Sequence, residues 1–354
     1  VQSVSAKINR DDMKILLVTS PVVDLRQPFA GGTEAFVVRL ANGLARRGHI
    51  VDVLCQSSDE TNLFTSLHIN ESALRMCDAI TSEKIGQKQY QAAQFGLLDS
   101  DEYDVIHYHS YYHAIYDYGF LHQRQAVITL HSPVTPRLAL LHQLHRARSN
   151  DIYVAVSQRL ATRWEHQIGG DIRVIANGIE LNQHTDIMVE ENYYLWSGRI
   201  CSVKNPALAI QWAKHHNLKL KLVGPIADED YFLSYIKPFL DEHITYAGHV
   251  DQSEHIELLR GARALFMTSD WEEPFGLVTL EALNEGTPVI GVGNAIVEEL
   301  RVSPMVQIVD DCLTITRCLT ELEHISAKQC RQVAEKFDFA HTLNQYEELY
   351  ASLQ

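Results

Sequence analysis

Apolar positions along this chain fall into two alternating patterns. Short unbroken apolar runs read as strands buried on both faces of a parallel sheet, and longer stretches with an apolar residue every three or four positions read as helices packed on it. Residues 13–20 (MKILLVTS) are the first run. A loop with Pro21, Pro28, Gly31 and Gly32 follows, and Thr33 opens the amphipathic stretch TEAFVVRLANGLARR. Arg46 and Arg47 in its last turn, with Gly48 just beyond, suit a helix C-terminus, where cations offset the negative end of the dipole. Residues 50–55 (IVDVLC) are strand-like again, which completes a βαβ unit, the building block of parallel sheets.

The alternation continues with strand-like residues 104–109, 126–131 and 151–156. Near residue 171 the pattern starts afresh. Residues 173–176 read as a strand, Asn177-Gly178 as a turn, and further strands are predicted at 193–197, 219–223, 244–247, 264–267 and 288–292. Leu343, Tyr346, Leu349 and Tyr350 predict a last helix over 340–353. The reading is α/β, with two doubly wound domains joined near residue 170. Ligands of such sheets bind at the carboxyl ends of the strands, so two facing sheets predict a site in the cleft between them.

Composition agrees with two globular domains. The chain has 354 residues, 46% of them apolar and 21% charged, at roughly 100–200 residues per domain. No apolar run reaches the roughly 18–20 residues that span a bilayer. The first twelve residues lack the apolar stretch of a secretory signal and read as a loose leader. Cysteines 55, 77, 201, 312, 318 and 330 form no C-x-x-C pair, so reduced thiols in a cytoplasmic protein are expected. Charge is uneven: residues 1–170 carry 16 Lys and Arg against 17 Asp and Glu, residues 171–354 carry 14 against 28. Such a surface repels nucleic acid, and any phosphate bound in the second half must be held by a few placed cations and backbone N–H groups.

The most informative segment is SDWEEPFGLVTLEALNEGTPVIG, residues 269–291. It reads as a strand end, a turn at Pro274 and Gly276, a short helix over 277–284, and a C-terminal glycine at Gly286. That geometry aims free helix N–H groups and a positive dipole into the cleft, as a diphosphate requires. Gly276 permits close approach of the backbone, and Glu273 and Glu281 can accept hydrogen bonds from ligand hydroxyls on either side of a phosphate. Ser197-Gly198-Arg199 with Lys204 follows a predicted strand and can seat a diphosphate. Gly31-Gly32-Thr33-Glu34 marks a helix start, and His107, His109 and His131 stand at strand ends. In isolation each of these has an ordinary structural explanation: a turn, a solvated face, a buried hydrogen-bonding histidine.

Taken together they resemble one family. The string E-P-F-G-x-x-x-x-E-A-x-x-x-G-x-P-V-I is similar to the hallmark of glycosyltransferase family 4, retaining enzymes of the GT-B fold. The G-R-x-x-x-x-K spacing of Gly198, Arg199 and Lys204, the V-I-x-N-G-I element at 174–179 and the strand ending in His131 resemble other family motifs. The resemblance covers nearly all of residues 13–353. It implies two Rossmann-like domains facing across a cleft: an N-terminal acceptor domain over 1–170, joined by a C-terminal helix over 338–354, and a donor domain over 171–337.

By position, it implies that Glu273 contacts the transferred sugar and that Glu281 binds the ribose. Gly276, Leu277 and Val278 would offer backbone to phosphate or sugar oxygens, and Arg199 and Lys204 would neutralise the leaving diphosphate. Gly31 and Gly32 would lie over the donor phosphates. Thr33, Glu34 and His109 would serve the acceptor, His131 would reach the donor sugar, and Gly248 and Val250 would pack on the base. His107 reads as structural. The implied reaction is transfer of a hexosyl group from a nucleoside diphosphate sugar, a UDP-sugar before a GDP-sugar, to a hydroxyl acceptor, with retention and without a metal or cofactor.

The chain departs from the family pattern at 293–298, where Gly-Asn-Ala-Ile-Val-Glu replaces a Gly-Gly pair before a glutamate, and in a shortened loop at 302–306. The basic amphipathic stretch 137–148 reads either as an ordinary surface helix or as peripheral contact with anionic lipid on the cytosolic face. Soluble and lipid-linked acceptors both stay open. So do an epimerase or phosphorylase on the same architecture and a non-catalytic nucleotide-sugar sensor.

Overall fold

A computed structural model of the protein describes residues 12–19, 24–29, 31–67, 102–109, 116, 125–181, 192–310 and 312–353. The leader at 1–11, Ser20, Pro21 and Cys77 lie outside them. The apolar runs form two sheets, parallel throughout. In chain order the strands of the first are β1 (Lys14–Val18), β3 (Ile50–Leu54), β5 (Thr65–Leu67), β6 (Val105–Tyr108), β7 (Val127–Leu130), β8 (Ile152–Ala155) and β9 (Arg173–Val174). Their spatial order is β5-β3-β1-β6-β7-β8-β9. A two-stranded ribbon pairs β2 (Asp24–Leu25) with β4 (Ser57–Ser58). The second sheet holds β10 (Tyr194–Ser197), β11 (Leu220–Val223), β12 (Ile244–Tyr246), β13 (Leu265–Met267), β14 (Val289–Gly291) and β15 (Val306–Ile308), in the order β12-β11-β10-β13-β14-β15. In both sheets the order reverses beside the first strand, which opens a crevice at the carboxyl ends.

The period of two along β1 sorts its side chains between two cores. Ile15 and Leu17 pack with Phe36, Leu40 and Leu44 of α1 (Gly32–Arg46) and with Phe339, Leu343, Tyr346 and Tyr350 of the last helix, Phe339–Ala351. Leu16 and Val18 face the opposite core with Leu160 and Trp164 of the helix Gln158–Ile168, and that core continues into Leu265, Met267 and Leu280 of the second domain. The last helix therefore belongs with the first sheet. Glu347 anchors it there, pairing with Arg47 and, at 3.2 Å, with His49.

One expectation is corrected. The sequence pattern places residues 173–176 as the opening strand of the second domain, but Arg173 and Val174 pair with Val154 and Ala155 at the edge of the first sheet. The chain crosses between domains after this strand. It does so beside its own return: Ile179 donates to the Phe337 carbonyl at 3.0 Å, and Phe339 donates to the Ile179 carbonyl at 2.9 Å.

Candidate active site

The carboxyl ends of the two sheets enclose a cavity of about 580 Å³. The first domain lines it with Gly31, Gly32, Thr33 and Glu34 at the start of α1, and with His131 beyond β7. The second domain contributes Arg199, Lys204, Val250, Trp271, Glu273, Gly276, Leu277, Val278 and Glu281. The start of α1 approaches the helix Leu277–Asn284 so closely that a Cβ on Gly32 would lie 3.5 Å from Leu277 Cδ1. Two helix N-termini thus meet in one cleft, each directing unfilled N–H groups and a partial positive charge at the same space.

The Leu277–Asn284 helix starts on Gly276, whose φ of +82° is left-handed and whose missing side chain leaves the first turn without a cap. Before it, Glu273 is buried to 6% exposure. Its carboxylate pairs with Lys204, which stands at the end of a single 3₁₀ turn, Ser202–Lys204. The ammonium also lies 5.0 Å from the centre of the Trp271 ring. Lys204 and Glu273, 69 residues apart, are one unit. The Arg199 side chain is exposed and, among the described residues, has no hydrogen bond or ion pair, while its carbonyl accepts from Cys201 Sγ at 3.6 Å. It is a cation available to a ligand. Burial raises the Glu34 carboxyl above its ordinary range, and the positive charge of Arg199 offsets part of that rise.

Glu281 is approached at 3.9 Å by Arg39 of α1 and at 3.9 Å by His255 Nδ1. The other nitrogen of His255 lies 2.8 Å from Ser197 Oγ, at the end of β10. The loops after β10 and β11 touch: Gly224 has φ +133°, and a Cβ there would lie 2.0 Å from the Gly198 carbonyl oxygen. Glycine is needed at Gly224 for both conformation and space.

Two predicted site residues are not at the cavity surface. His109 is 1% exposed and lies behind His131, with its Nδ1 2.9 Å from His131 Nε2. It supports a cleft residue and is not placed to touch an acceptor. Gly248 does not line the cavity either; its carbonyl accepts from the Gly224 N–H at 2.8 Å and so braces that turn, while Val250 does face the cleft. His107 is fully buried between Tyr350 Oη and Thr129 Oγ1, both at 2.7 Å, a structural role. Burial holds all three histidines neutral: His131 is pushed down to about 3, and His107 and His109 lie well below the usual histidine value. His131 can therefore exchange hydrogen bonds with a sugar hydroxyl but brings no positive charge.

Sequence reasoning missed Arg39, Trp271 and His255, which line the cavity, and Arg159, which grips its wall from behind. Trp271 lies in the segment 269–291, two residues before the hallmark string, and was within reach. The other three sit on amphipathic helices, where a polar residue facing a neighbouring domain looks like one facing water.

Two facing doubly wound domains, with carboxylates and a helix N-terminus in the cleft between them, define the GT-B fold. Residues 30–183 match the model described as Glycosyltransferase Family 4, and residues 179–300 match Glycosyl transferases group 1. The chain belongs to glycosyltransferase family 4. It is 27% identical over 286 residues to the phosphatidyl-myo-inositol mannosyltransferase of Mycobacterium leprae, spanning 73% of this chain and 74% of that protein. Among solved structures it resembles the sucrose-phosphate synthase of Thermosynechococcus elongatus, with a TM-score of 0.76, 18% identity, and coverage of 96% of this chain and 99% of that one. It also resembles Anabaena HepE in complex with UDP and glucose, with a TM-score of 0.75, 19% identity, and coverage of 96% and 100%.

Proposed function

We propose that this glycosyltransferase moves a hexosyl group from a nucleoside diphosphate sugar, a UDP-sugar before a GDP-sugar, to a hydroxyl acceptor with retention of configuration. The observation that carries the reading is that one cavity collects Glu281, the Lys204–Glu273 pair, the N-terminus of the Leu277–Asn284 helix and the exposed Arg199. In this reading Glu281 holds the ribose, Arg199 and the two helix N-termini hold the diphosphate, and Glu273 holds the sugar. The complex of HepE, of the same fold, with UDP and glucose supports a UDP-sugar, and the mannosyltransferase relatives keep a mannosyl group among the candidate hexoses.

As the diphosphate departs, negative charge grows on its bridging oxygen. Lys204, held by Glu273 and Trp271, and the helix dipoles are fixed in place beforehand, and the exposed Arg199 adds a further cation, so together they stabilise that charge most in the transition state. No metal ion is required to do so. With retention, the acceptor hydroxyl attacks from the leaving-group face and a phosphate oxygen takes its proton, so Glu273 is neither nucleophile nor base. The acceptor enters from the first domain beside Thr33 and Glu34. The surface helix Pro136–Arg146 exposes Leu140 and Leu144 among basic residues, which supports peripheral contact with anionic lipid and a lipid-linked acceptor; co-sedimentation with phosphatidylglycerol vesicles tests it.

A thermal-shift screen of UDP, GDP and their sugars tests the donor, since a ligand stabilises in proportion to the logarithm of its concentration over its dissociation constant. The expected result is a clear shift with one nucleotide series, followed by an acceptor-dependent product whose anomeric configuration by NMR matches the donor. Turnover of the donor sugar without acceptor would instead indicate an epimerase, dependence on orthophosphate a phosphorylase, and binding with no turnover a sensor.

A further inference from the structure

The loop that carries Glu273 belongs to the second domain, yet much of its support comes from the first. Ser157 and Arg159 stand at the start of the helix Gln158–Ile168, which packs on the first sheet. Ser157 Oγ donates to the Pro274 carbonyl at 2.6 Å. The Arg159 guanidinium reaches four further carbonyls. Nη2 donates to Glu273 at 2.9 Å and Asn294 at 3.1 Å, and Nη1 to Gly293 at 3.4 Å and Ile296 at 3.3 Å. The loops 273–274 and 293–296 are joined to each other as well: the Glu273 N–H donates to the Asn294 carbonyl at 3.0 Å, and Asn294 Nδ2 donates to the Asp270 carbonyl at 2.9 Å. The segment 293–298, where the sequence departs from the family pattern, thus forms a carbonyl-rich shelf that Arg159 ties to the donor loop.

The chemistry of this contact is specific. A guanidinium is planar, permanently charged and able to donate five hydrogen bonds in fixed directions, so one side chain can satisfy several converging carbonyls. Its nearest carboxylate, that of Glu298, stands at 3.9 Å. The main-chain carbonyl it holds at Glu273 is that of the residue whose carboxylate faces Lys204 in the cleft. None of its hydrogen bonds reaches Glu281, Arg199 or the loops after β10 and β11.

We propose that Arg159 is a positioning residue, which sets Glu273 at the sugar end of the cleft from across the domain boundary and so couples domain arrangement to the grip on the sugar. The proposal rests on the donor reading above for what Glu273 contacts, and on geometry alone for what Arg159 holds. It separates two affinities. Loss of Arg159 should weaken binding of the sugar part of a donor and leave the nucleotide part, held by other groups, nearly unchanged.

The test uses the whole protein with Arg159→Ala and Arg159→Lys. Hydrogen exchange of the free protein should speed up by about tenfold or more at amides 272–278 and 294–297 in the alanine variant, the mark of a local opening made easier by at least ~1.4 kcal/mol. Strands β10 and β13 should stay protected. The lysine variant, which keeps the charge but reaches fewer carbonyls, should fall between, and it serves alone if the alanine variant does not fold. Calorimetry with UDP and UDP-glucose should then give an unchanged UDP dissociation constant and a several-fold loss of the extra affinity due to glucose. Unchanged exchange at those amides overturns the proposal, as does faster exchange throughout the molecule, or an equal loss of both ligands. If the wild-type protein binds neither ligand, the UDP reading fails and the exchange data alone decide the role of Arg159.

Discussion

Lys204 and Glu273 show how a single pair can serve both fold and chemistry. Each stands largely out of water, so each needs the other when no ligand is present. Glu273→Gln keeps an amide oxygen that can accept from the Lys204 ammonium. It should preserve the melting temperature and lower the transfer rate by about 10²- to 10³-fold, the usual effect of removing one placed electrostatic group. Lys204→Ala leaves a buried carboxylate unpaired and should also cost about 3 kcal/mol of stability. The double variant should regain that stability and none of the activity, which thermal melts and initial rates together will show. The buried histidines give a second prediction. Their folded values lie below the ordinary 6.5: about 3 for His131 and for His142, which is buried on the helix Pro136–Arg146, and well below 6.5 for His107 and His109. Below pH 6.5 the unfolded chain therefore takes up protons that the folded one refuses. Stability should be level above that pH and fall as pH drops from 6.5 towards 3, by up to about 1.4 kcal/mol per pH unit for each such histidine. Urea denaturation at pH 7.5 and 5.5 measures the difference; equal stability at both would show that these rings are not held neutral.

At the scale of elements, the strands were legible because a parallel sheet covered on both faces leaves a dense apolar run in the sequence. The Leu277–Asn284 helix was legible from both ends: Gly276 starts it, and Gly286, with φ +88°, stands just past its close. β9 was assigned to the wrong sheet because a two-residue edge strand carries no pattern that says which sheet it joins. His109 was placed one layer too far forward for a related reason. Residues alternate across a strand end, and sequence does not say which of two neighbouring histidines meets the cavity. Gly276 makes a testable case. Around its absent Cβ the nearest atoms, including the Ala295 carbonyl oxygen, lie at 3.6 Å or beyond, an ordinary contact. Only the left-handed backbone opposes a side chain, at about 1–2 kcal/mol. Gly276→Asn, which tolerates that conformation, should be milder than Gly276→Ala in thermal melts. Gly224→Ala meets backbone at 2.0 Å and should be worse than both.

For the whole molecule, the question is how two domains move while sharing one cleft. They are joined at a pair of neighbouring crossings, where Ile179 is hydrogen-bonded to Phe337 and Phe339. A pair of tied segments is suited to act as a hinge, and closing about it would bring His131 and Glu34 onto a donor held by the second domain, exclude water and complete the site. Gly178 lies against both crossings. A Cβ there would stand 2.8 Å from the Phe337 carbonyl oxygen, Phe339 Cα and Thr342 Oγ1, two of them backbone. Its own carbonyl accepts from Arg39 at 3.3 Å, the side chain that also reaches towards Glu281. Gly178→Val must push the two crossings apart without touching any group proposed to hold the nucleotide. The expected outcome is a nucleotide dissociation constant within about twofold of wild type and a transfer rate lower by about tenfold or more, because misplacing reacting groups by an ångström is enough for such losses. Small-angle scattering should show the wild-type radius of gyration shrinking when donor binds and the Gly178→Val variant failing to follow. A variant that contracts and turns over normally would place the hinge elsewhere, whereas one that loses nucleotide binding as well would mean that the donor is held by both domains from the start.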